Sequence, residues 1–161
     1  MRRIGVLMFG DENDSVTKPH VAAFTQALAD LGWTDGRNVR VDLRWAGADI
    51  NRIRALAQEL VGLQPDIILV TGGLLATVAV QRATREIPIV FAGAGDPVTS
   101  GIVARLNQPG GNTTGLSHWE ATLGGKWLEL LSEIAPGLKR AGWAIASTRR
   151  KFRAVGGRRA A

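Results

Sequence analysis

The sequence predicts an α/β protein with a doubly wound, mostly parallel Rossmann-like sheet. Three observations carry this prediction. Short continuous apolar runs are typical of strands buried on both faces, amphipathic stretches with helical spacing alternate with them, and the connections between them are short and rich in glycine, proline and asparagine. Strands that alternate with helices through short loops favour parallel pairing by crossover connections. A length of 161 residues with 45% hydrophobic and 21% charged residues fits a folded globular domain.

Five segments are predicted to be strands. Ile4–Phe9 is a continuous apolar run that ends at Gly10–Asp11, as expected for a strand in the middle of a parallel sheet. Val39–Trp45 alternates apolar and polar residues, which is typical of an edge or half-buried strand. The remaining predicted strands are Ile67–Val70, Ile87–Phe91 and the short extended piece Thr113–Ser117.

Helices are predicted between these strands. Apolar residues from Val21 to Leu31 recur at spacings of three and four, and Gly32 is placed to end that helix. The last helix carries Trp127, Leu128, Leu131 and Ile134 on one stripe and stops at Pro136–Gly137. The other predicted helices are Ile53–Val61, Leu74–Thr84 and a short one over Ile102–Leu106.

The formal charge of +6 comes from one end of the chain. Residues 1–138 contain 12 basic and 14 acidic side chains, whereas residues 139–161 contain 8 basic side chains and no acidic one. A nucleic-acid-binding surface is one interpretation of such a run. A solvated or aberrant terminus is the preferred one, because no aromatic platform or recognition helix accompanies the charge, and we expect no nucleic-acid partner.

The sequence lacks the residues that several kinds of catalytic and metal-binding sites require. There is no cysteine, and the two histidines, His20 and His118, are far apart with no partner one helical turn away. Phosphate-loop and nucleophile-elbow motifs are also missing. We therefore expect no metal, no cofactor and no catalytic residue, that is, a protein that is not an enzyme.

Ligands of open α/β sheets bind outside the carboxyl ends of the strands, near the point where the strand order reverses. This rule selects four loops of the predicted sheet. They are Gly10–Ser15, Thr71–Leu75, Gly93–Thr99 and Gly115–His118.

Two of these loops have both a functional and a structural interpretation. Gly72 and Gly73 precede a helix whose first amides could face a ligand anion, or they could simply form a tight turn. Asp96 could pair with a cationic ligand group, or it could cap its own turn, as aspartate before proline often does. The sequence leaves both pairs of alternatives open.

The acidic loop after the first strand allows a third interpretation. Asp11, Glu12 and Asp14 could form the magnesium pocket of a phosphoacceptor domain with this topology. That chemistry requires an aspartate at the end of the third strand, where this chain has Val70–Thr71–Gly72. We therefore prefer a solvated acidic loop.

Six motifs in the same order resemble the bacterial ABC-transporter substrate-binding family that includes tryptophan and tyrosine binders. The resemblance runs from about Ile4 to Arg140. The motifs are GWTDGRNV at 32–39, RWA at 44–46, PDIILVTGG at 65–73, IPIVF at 87–91, GDPV at 95–98 and PGGNTTG at 109–115.

The resemblance implies a type I periplasmic-binding-protein fold, with two Rossmann-like lobes that close on a small ligand. It also implies delivery of the ligand to a membrane permease with an ATPase partner. Many relatives have a hydroxyl residue and a proline where this chain has Leu74–Leu75, so the identity of the ligand is left open. Carried over by position, the ligand-binding residues are Gly10, Asp11, Gly72, Gly73, Leu74, Asp96, Thr114 and Ser117.

Family members are about twice as long as this chain, so we expect a form truncated to the first lobe. Residues 1–118 would be that lobe, residues 119–146 the hinge and the start of an incomplete second lobe, and residues 147–161 a disordered basic tail. The last helix would then lack its partner surface, which predicts self-association.

The expected function is that of the solute-binding component of an ABC import system for an amino-acid-like ligand. The alternative is a cytoplasmic ligand-sensing regulatory module with the same fold. Relatives are periplasmic, whereas no signal peptide is visible at Met1, so the chain as written is expected in the cytoplasm.

Overall fold

The computed structural model describes residues 1–117 and 122–135. The chain divides into two compact units, Met1–Leu123 and Gly124–Ala161. The first contains the sheet and three of the helices, and the described part of the second is a single helix. The predicted boundary at residue 118 and the predicted tail from residue 147 lie outside the described residues.

The first unit is built on a five-stranded sheet in which every neighbouring pair is parallel, as predicted. The order across the sheet is β2-β1-β3-β4-β5, so the chain first moves to one side of β1 and then to the other. The strands are β1 (Arg2–Met8), β2 (Val39–Trp45), β3 (Ile67–Thr71), β4 (Ile89–Ala94) and β5 (Thr113–Ser117).

Four helices are present among the described residues, and each corresponds to a predicted one. Asp49 begins α2 by accepting hydrogen bonds from the amides of Asn51 and Arg52, at 2.8 and 2.9 Å. Gly32 follows the end of the first helix with a φ of +84°, as its predicted role requires. The helices are α1 (Lys18–Asp30), α2 (Ile50–Gly62), α3 (Leu74–Ala83) and α4 (Thr122–Ile134). None of them is long and apolar enough to span a membrane.

The short helix predicted over Ile102–Leu106 is wrong, because this segment forms turns. The amides of Ile102 and Val103 both donate to the carbonyl of Pro97, at 2.8 and 3.1 Å. Their side chains are buried against Phe91 and Ala94. The apolar residues that suggested a helix instead anchor a turn to the sheet, an outcome set by a contact between distant parts of the chain.

The main core lies between the sheet and the α2–α3 layer. Leu7, Ile68, Val70 and Ile89 point from the strands into this layer, and all are at most 1% exposed. The helices contribute Ile53, Ala57, Leu60, Ala76 and Val80. By contrast, α1 has no buried residue, so it is the less firmly packed helix of the first unit.

Ion pairs and hydrogen bonds join the strands at the amino-terminal edge of the sheet. The Nε of Arg3 donates to Oδ2 of Asp42 at 2.6 Å, and the amide of Arg3 donates to Asp66 at 2.7 Å. Arg2 forms a second ion pair with Asp66. These contacts join β1 to β2 and to the turn before β3.

Candidate functional site

The candidate site lies where the strand order reverses, at the carboxyl ends of β1 and β3. The amide of Phe9 donates to the carbonyl of Thr71 at 3.2 Å and so joins the two strand ends. A side chain at Gly72 would place its Cβ 2.6 Å from the Cβ of Phe9, and the φ of Gly72 is +82°. Glycine is therefore required at residue 72 both by its backbone conformation and by the close approach of the first loop.

The start of α3 faces this edge with uncapped amides. Its N-cap residue, Gly73, has no side chain to accept from them. The first amides of a helix have no acceptor within the helix, and they carry the positive end of the helix dipole. Leu74 and Leu75 are 37% and 50% exposed, so apolar surface lies beside these donors. The predicted placement of Gly72, Gly73 and Leu74 at one edge agrees with the structure, whereas ligand contact stays a prediction.

Two backbone hydrogen bonds join the loop after β1 to the loop after β2. The amide of Gly47 donates to the carbonyl of Gly10 at 3.0 Å, and the amide of Ala48 donates to that of Phe9 at 2.8 Å. The carboxylate of Asp11 accepts one bond, at Oδ1 from the amide of Asn13 at 3.1 Å, and its second oxygen, Oδ2, has no hydrogen-bond donor among the described residues. Gly10 and Asp11 are thus held at the same edge as Gly72 and Gly73, as predicted.

Asp96 follows β4 at this edge, and its carboxylate caps its own turn. Oδ1 accepts from the amides of Val98 and Thr99 at 3.1 and 3.0 Å, and Oδ2 accepts from the hydroxyl of Thr99 at 2.8 Å. These bonds, above all the one from the Thr99 amide, lower the pKa of Asp96 below its usual value. The structure therefore shows Asp96 in its capping role, while a ligand role stays a prediction.

The two predicted residues of β5 have different positions. The hydroxyl of Ser117 donates to the carbonyls of Ala94 and Gly95, both at 3.1 Å, so Ser117 lies at the carboxyl edge and joins β5 to the Asp96 loop. Thr114 lies inside the strand, opposite Val90, and does not reach that edge. The structure therefore brings seven of the eight predicted ligand-binding residues to one edge and leaves Thr114 apart.

A pocket of about 280 Å³ beside the first loop contains residues that the sequence analysis missed. Asp11 and Glu12 line it from the loop after β1, Trp45 from the end of β2, and Arg52 and Leu56 from α2. The same rule that selected the other loops, applied to the end of β2, would have pointed to this region. Among the described residues, no group of three or more histidine, aspartate or glutamate side chains could hold a metal ion.

A parallel sheet with order 2-1-3-4-5, and glycine loops, helix amides and carboxylates at one edge, is typical of the Rossmann-like ligand-binding class. Within that class the chain belongs to the ABC transporter substrate binding protein family, whose model matches residues 3–154. This match extends beyond the resemblance expected from Ile4 to Arg140.

A curated relative is a tyrosine-binding protein from Clostridioides difficile. It is 34% identical to this chain over 119 residues, which are 74% of this chain and 34% of the relative. The chain therefore spans about a third of the length of that relative.

Two solved structures are similar in fold and in sequence. A ligand-free, open substrate-binding protein from Clostridium difficile, described as having adhesive properties, is 28% identical with a TM-score of 0.71 and covers 85% of this chain and 45% of its own. An ABC domain from Streptococcus pneumonia in complex with L-Trp is 27% identical with a TM-score of 0.66 and covers 72% of this chain and 38% of its own.

Proposed function

We propose that this chain binds a small, polar, amino-acid-like molecule as a ligand-binding lobe of an ABC import system, and that it is not an enzyme. The observation that carries the proposal is the gathering of Asp11, the start of α3 and the Asp96 loop at the edge where the strand order reverses. Amides that lack acceptors and carboxylates at one edge suit a ligand that bears both an anionic and a cationic group.

The relatives support an amino acid as the ligand class, since one is named for tyrosine and another was solved with L-Trp. As a member of an import system, the chain would pass its ligand to a membrane permease driven by an ATPase. Family members are expected in the periplasm, where an importer collects its cargo, and we propose this location in place of the cytoplasmic one expected from the first residues of the chain.

We expect the binding by this chain alone to be weak. Tight small-molecule sites bury most of the surface of the ligand. The carboxyl edge of one sheet covers a ligand from one side only, so a dissociation constant in the millimolar range, or about −4 kcal/mol of binding free energy, is expected.

The proposal is tested by titrating the ¹⁵N-labelled chain with the standard amino acids and following amide chemical shifts. We expect saturable shifts for at least one apolar amino acid, confined to the loops that follow β1, β2, β3 and β4. The Gly72→Ala variant should bind at least several-fold more weakly, because the new Cβ pushes the loop after β1 away from β3.

Gly36→Ala is the matched control for this experiment. Gly36 also has a positive φ, +77°, but nothing lies within 4 Å of its Cβ position, and it is in the turn before β2 at the opposite edge. It should lose stability without losing affinity. A chain that shows no saturable shift with any amino acid, or shifts spread over the α2–α3 surface, contradicts the proposed function.

We further propose that the chain self-associates through α4. Leu128, Leu131 and Ile134 are 55%, 43% and 80% exposed, and they lie on one side of an amphipathic helix. Clustered apolar side chains of this kind usually mark a protein–protein contact.

A further inference from the structure

The pocket between the loop after β1 and the start of α2 contains charges of both signs that have no ion-pair partner. Arg44 at the pocket is neutralised, because its Nε and Nη2 donate to Glu59 at 2.8 and 2.7 Å. The ion pairs of residues 1–117 and 122–135 include neither Asp11, Glu12 nor Arg52. Two carboxylates and one guanidinium therefore line the same cavity without an ion pair between them, and the charge that interacts with Arg52 is that of Asp49 at the start of α2.

The gap between the opposite charges can be bounded from Gly47. A Cβ at Gly47 would lie 3.9 Å from Oδ2 of Asp11 and 4.0 Å from Nη1 of Arg52, so these two atoms are at most about 8 Å apart. They form no ion pair, so they are more than 4.0 Å apart. The two groups make no direct ion pair, and a ligand with both a cationic and an anionic group could contact both of them.

An α-amino acid has the dimensions of such a bridge. Its ammonium nitrogen and carboxylate oxygen are three bonds apart, which is about 3 Å. A charge-assisted hydrogen bond of about 2.8 Å at each end extends the reach to roughly 8 Å. The lack of a side chain at Gly47 keeps this space open, and a φ of +62° favours glycine there.

Apolar groups form another part of the wall. The indole of Trp45 and the side chain of Leu56 are both half-buried and line the pocket. A pocket of about 280 Å³ is close to the lower end of the usual size for small-molecule sites. The rest of the lining is mostly polar, so these two residues provide an apolar patch beside the charged groups.

We propose that this pocket is the recognition site for the charged end of an α-amino acid, with its ammonium group on Asp11 and its carboxylate on Arg52. The inference rests on the proposed function and deepens it, since it assigns the carboxylate of the ligand to Arg52 instead of the amides at the start of α3. Asp49 accepts from the backbone amide of Arg52 at 2.9 Å, which fixes the first turn of α2 beside the pocket.

The test uses ligands that lack one charge each. The ¹⁵N-labelled full chain is titrated with L-tryptophan, with L-tryptophan amide, which lacks the carboxylate, and with N-acetyl-L-tryptophan, which lacks the ammonium. We expect L-tryptophan to shift the amide of Gly47 and the indole N–H of Trp45, and each derivative to bind at least about tenfold more weakly.

Variants then assign each charge to its partner. Arg52→Gln should weaken the binding of L-tryptophan about tenfold and leave the binding of the amide derivative unchanged. Asp11→Asn should likewise weaken the binding of L-tryptophan and leave the binding of the N-acetyl derivative unchanged. Arg52→Lys should restore part of the affinity. Arg54→Gln and Asp14→Asn change neighbouring residues, one exposed and one half-buried, that do not line the pocket, so both should bind like the unmodified chain.

The outcomes separate this inference from the proposed function. If L-tryptophan shifts residues 72–76 and not Gly47, and Arg52→Gln binds normally, the inference is overturned and the proposed function stands. Equal affinity for L-tryptophan and both derivatives also overturns the inference. If no amino acid binds at all, both are overturned.

Discussion

At the scale of single residues, the most consequential polar contact away from the candidate site is the one between Arg3 and Asp42. The Asp42 side chain is 9% exposed and that of Arg3 is 27% exposed, so both charges are largely removed from water. Arg3 also donates to the carbonyl of Leu63 at 3.1 Å, and Arg40 approaches the other oxygen of Asp42 at 3.5 Å. The pair therefore fixes β1 against β2 and holds one charged group near the turn that precedes β3.

We predict that Asp42→Ala lowers the free energy of unfolding by about 1–3 kcal/mol at pH 7, because it leaves the Arg3 guanidinium without its main partner. The hydrogen bond from Arg3 lowers the pKa of Asp42 below its usual value. A lowered pKa means that the stabilisation is complete above the unfolded-state pKa of about 3.9 and is lost as the pH falls through the lower folded-state pKa. The difference in free energy of unfolding between the unmodified chain and Asp42→Ala should therefore become smaller at acid pH, as measured by urea unfolding.

Glu59→Gln is the control for this substitution, since it breaks the more exposed ion pair with Arg44. It should cost no more than about 1 kcal/mol. The difference in free energy of unfolding between Asp42→Ala and the unmodified chain could also stay constant as the pH falls through the acid range. That result would show that the ion pair is not the source of the stability.

At the scale of secondary-structure elements, the helices on the two faces of the sheet are buried to different depths. On α2, three residues (Ile53, Ala57 and Leu60) are buried, and all are 0% exposed. On α1, the inward-facing residues Val21, Phe24 and Leu28 are only half-buried. Since most helical stability in proteins comes from packing of the apolar face, α2 is the firmly held helix and α1 the loosely held one.

We predict that Leu60→Ala on α2 lowers the free energy of unfolding by about 2–5 kcal/mol, because it leaves a cavity in the main core. Leu28→Ala on α1 should cost distinctly less, since part of that side chain already contacts water. Chemical denaturation of the two variants measures the difference.

Hydrogen exchange checks the same asymmetry without a substitution. Amides of α1 should exchange through local opening, at lower free energy than amides of α2. Equal protection of the two helices, together with equal costs for the two substitutions, would contradict this account.

At the scale of the whole molecule, the exposed apolar surface on α4 is the feature from which we predict the behaviour of the chain in solution. The described residues of this helix from Gly125 to Ile134 are exposed except Trp127, which is half-buried. Four large apolar side chains are therefore in contact with water on one helix: Leu128, Leu130, Leu131 and Ile134.

We predict that the mass measured by light scattering rises above that of the monomer, 17.2 kDa, as the concentration of the chain increases. The double variant Leu131→Glu/Ile134→Glu should remain a monomer, because each carboxylate interrupts the apolar stripe. Lys126→Glu changes the net charge by the same two units on another side of this helix and should associate like the unmodified chain. A constant monomer mass for the unmodified chain at high concentration contradicts self-association.

Local patterns in the sequence were enough to determine the fold class, the order of strands and helices, and the four loops where a ligand could bind. Continuous apolar runs such as Ile4–Phe9 and glycines such as Gly32 predict structure because the cause lies within a few residues of the effect. The placement of Gly10, Gly72 and Asp96 at one edge also followed, since parallel strands bring their carboxyl ends together.

Only the tertiary structure decided which of the open alternatives applies. Asp96 caps its own turn, Ile102 anchors a turn rather than a helix, and α1 lacks a buried residue. Asp11 and Arg52 line one pocket although they are 41 positions apart in the chain. The Asp96 cap is local, since its donors are two and three residues away, but the sequence alone could not choose this cap over a ligand role. The other outcomes depend on contacts between distant residues, whose free energies override local preference and leave no periodic pattern in the sequence.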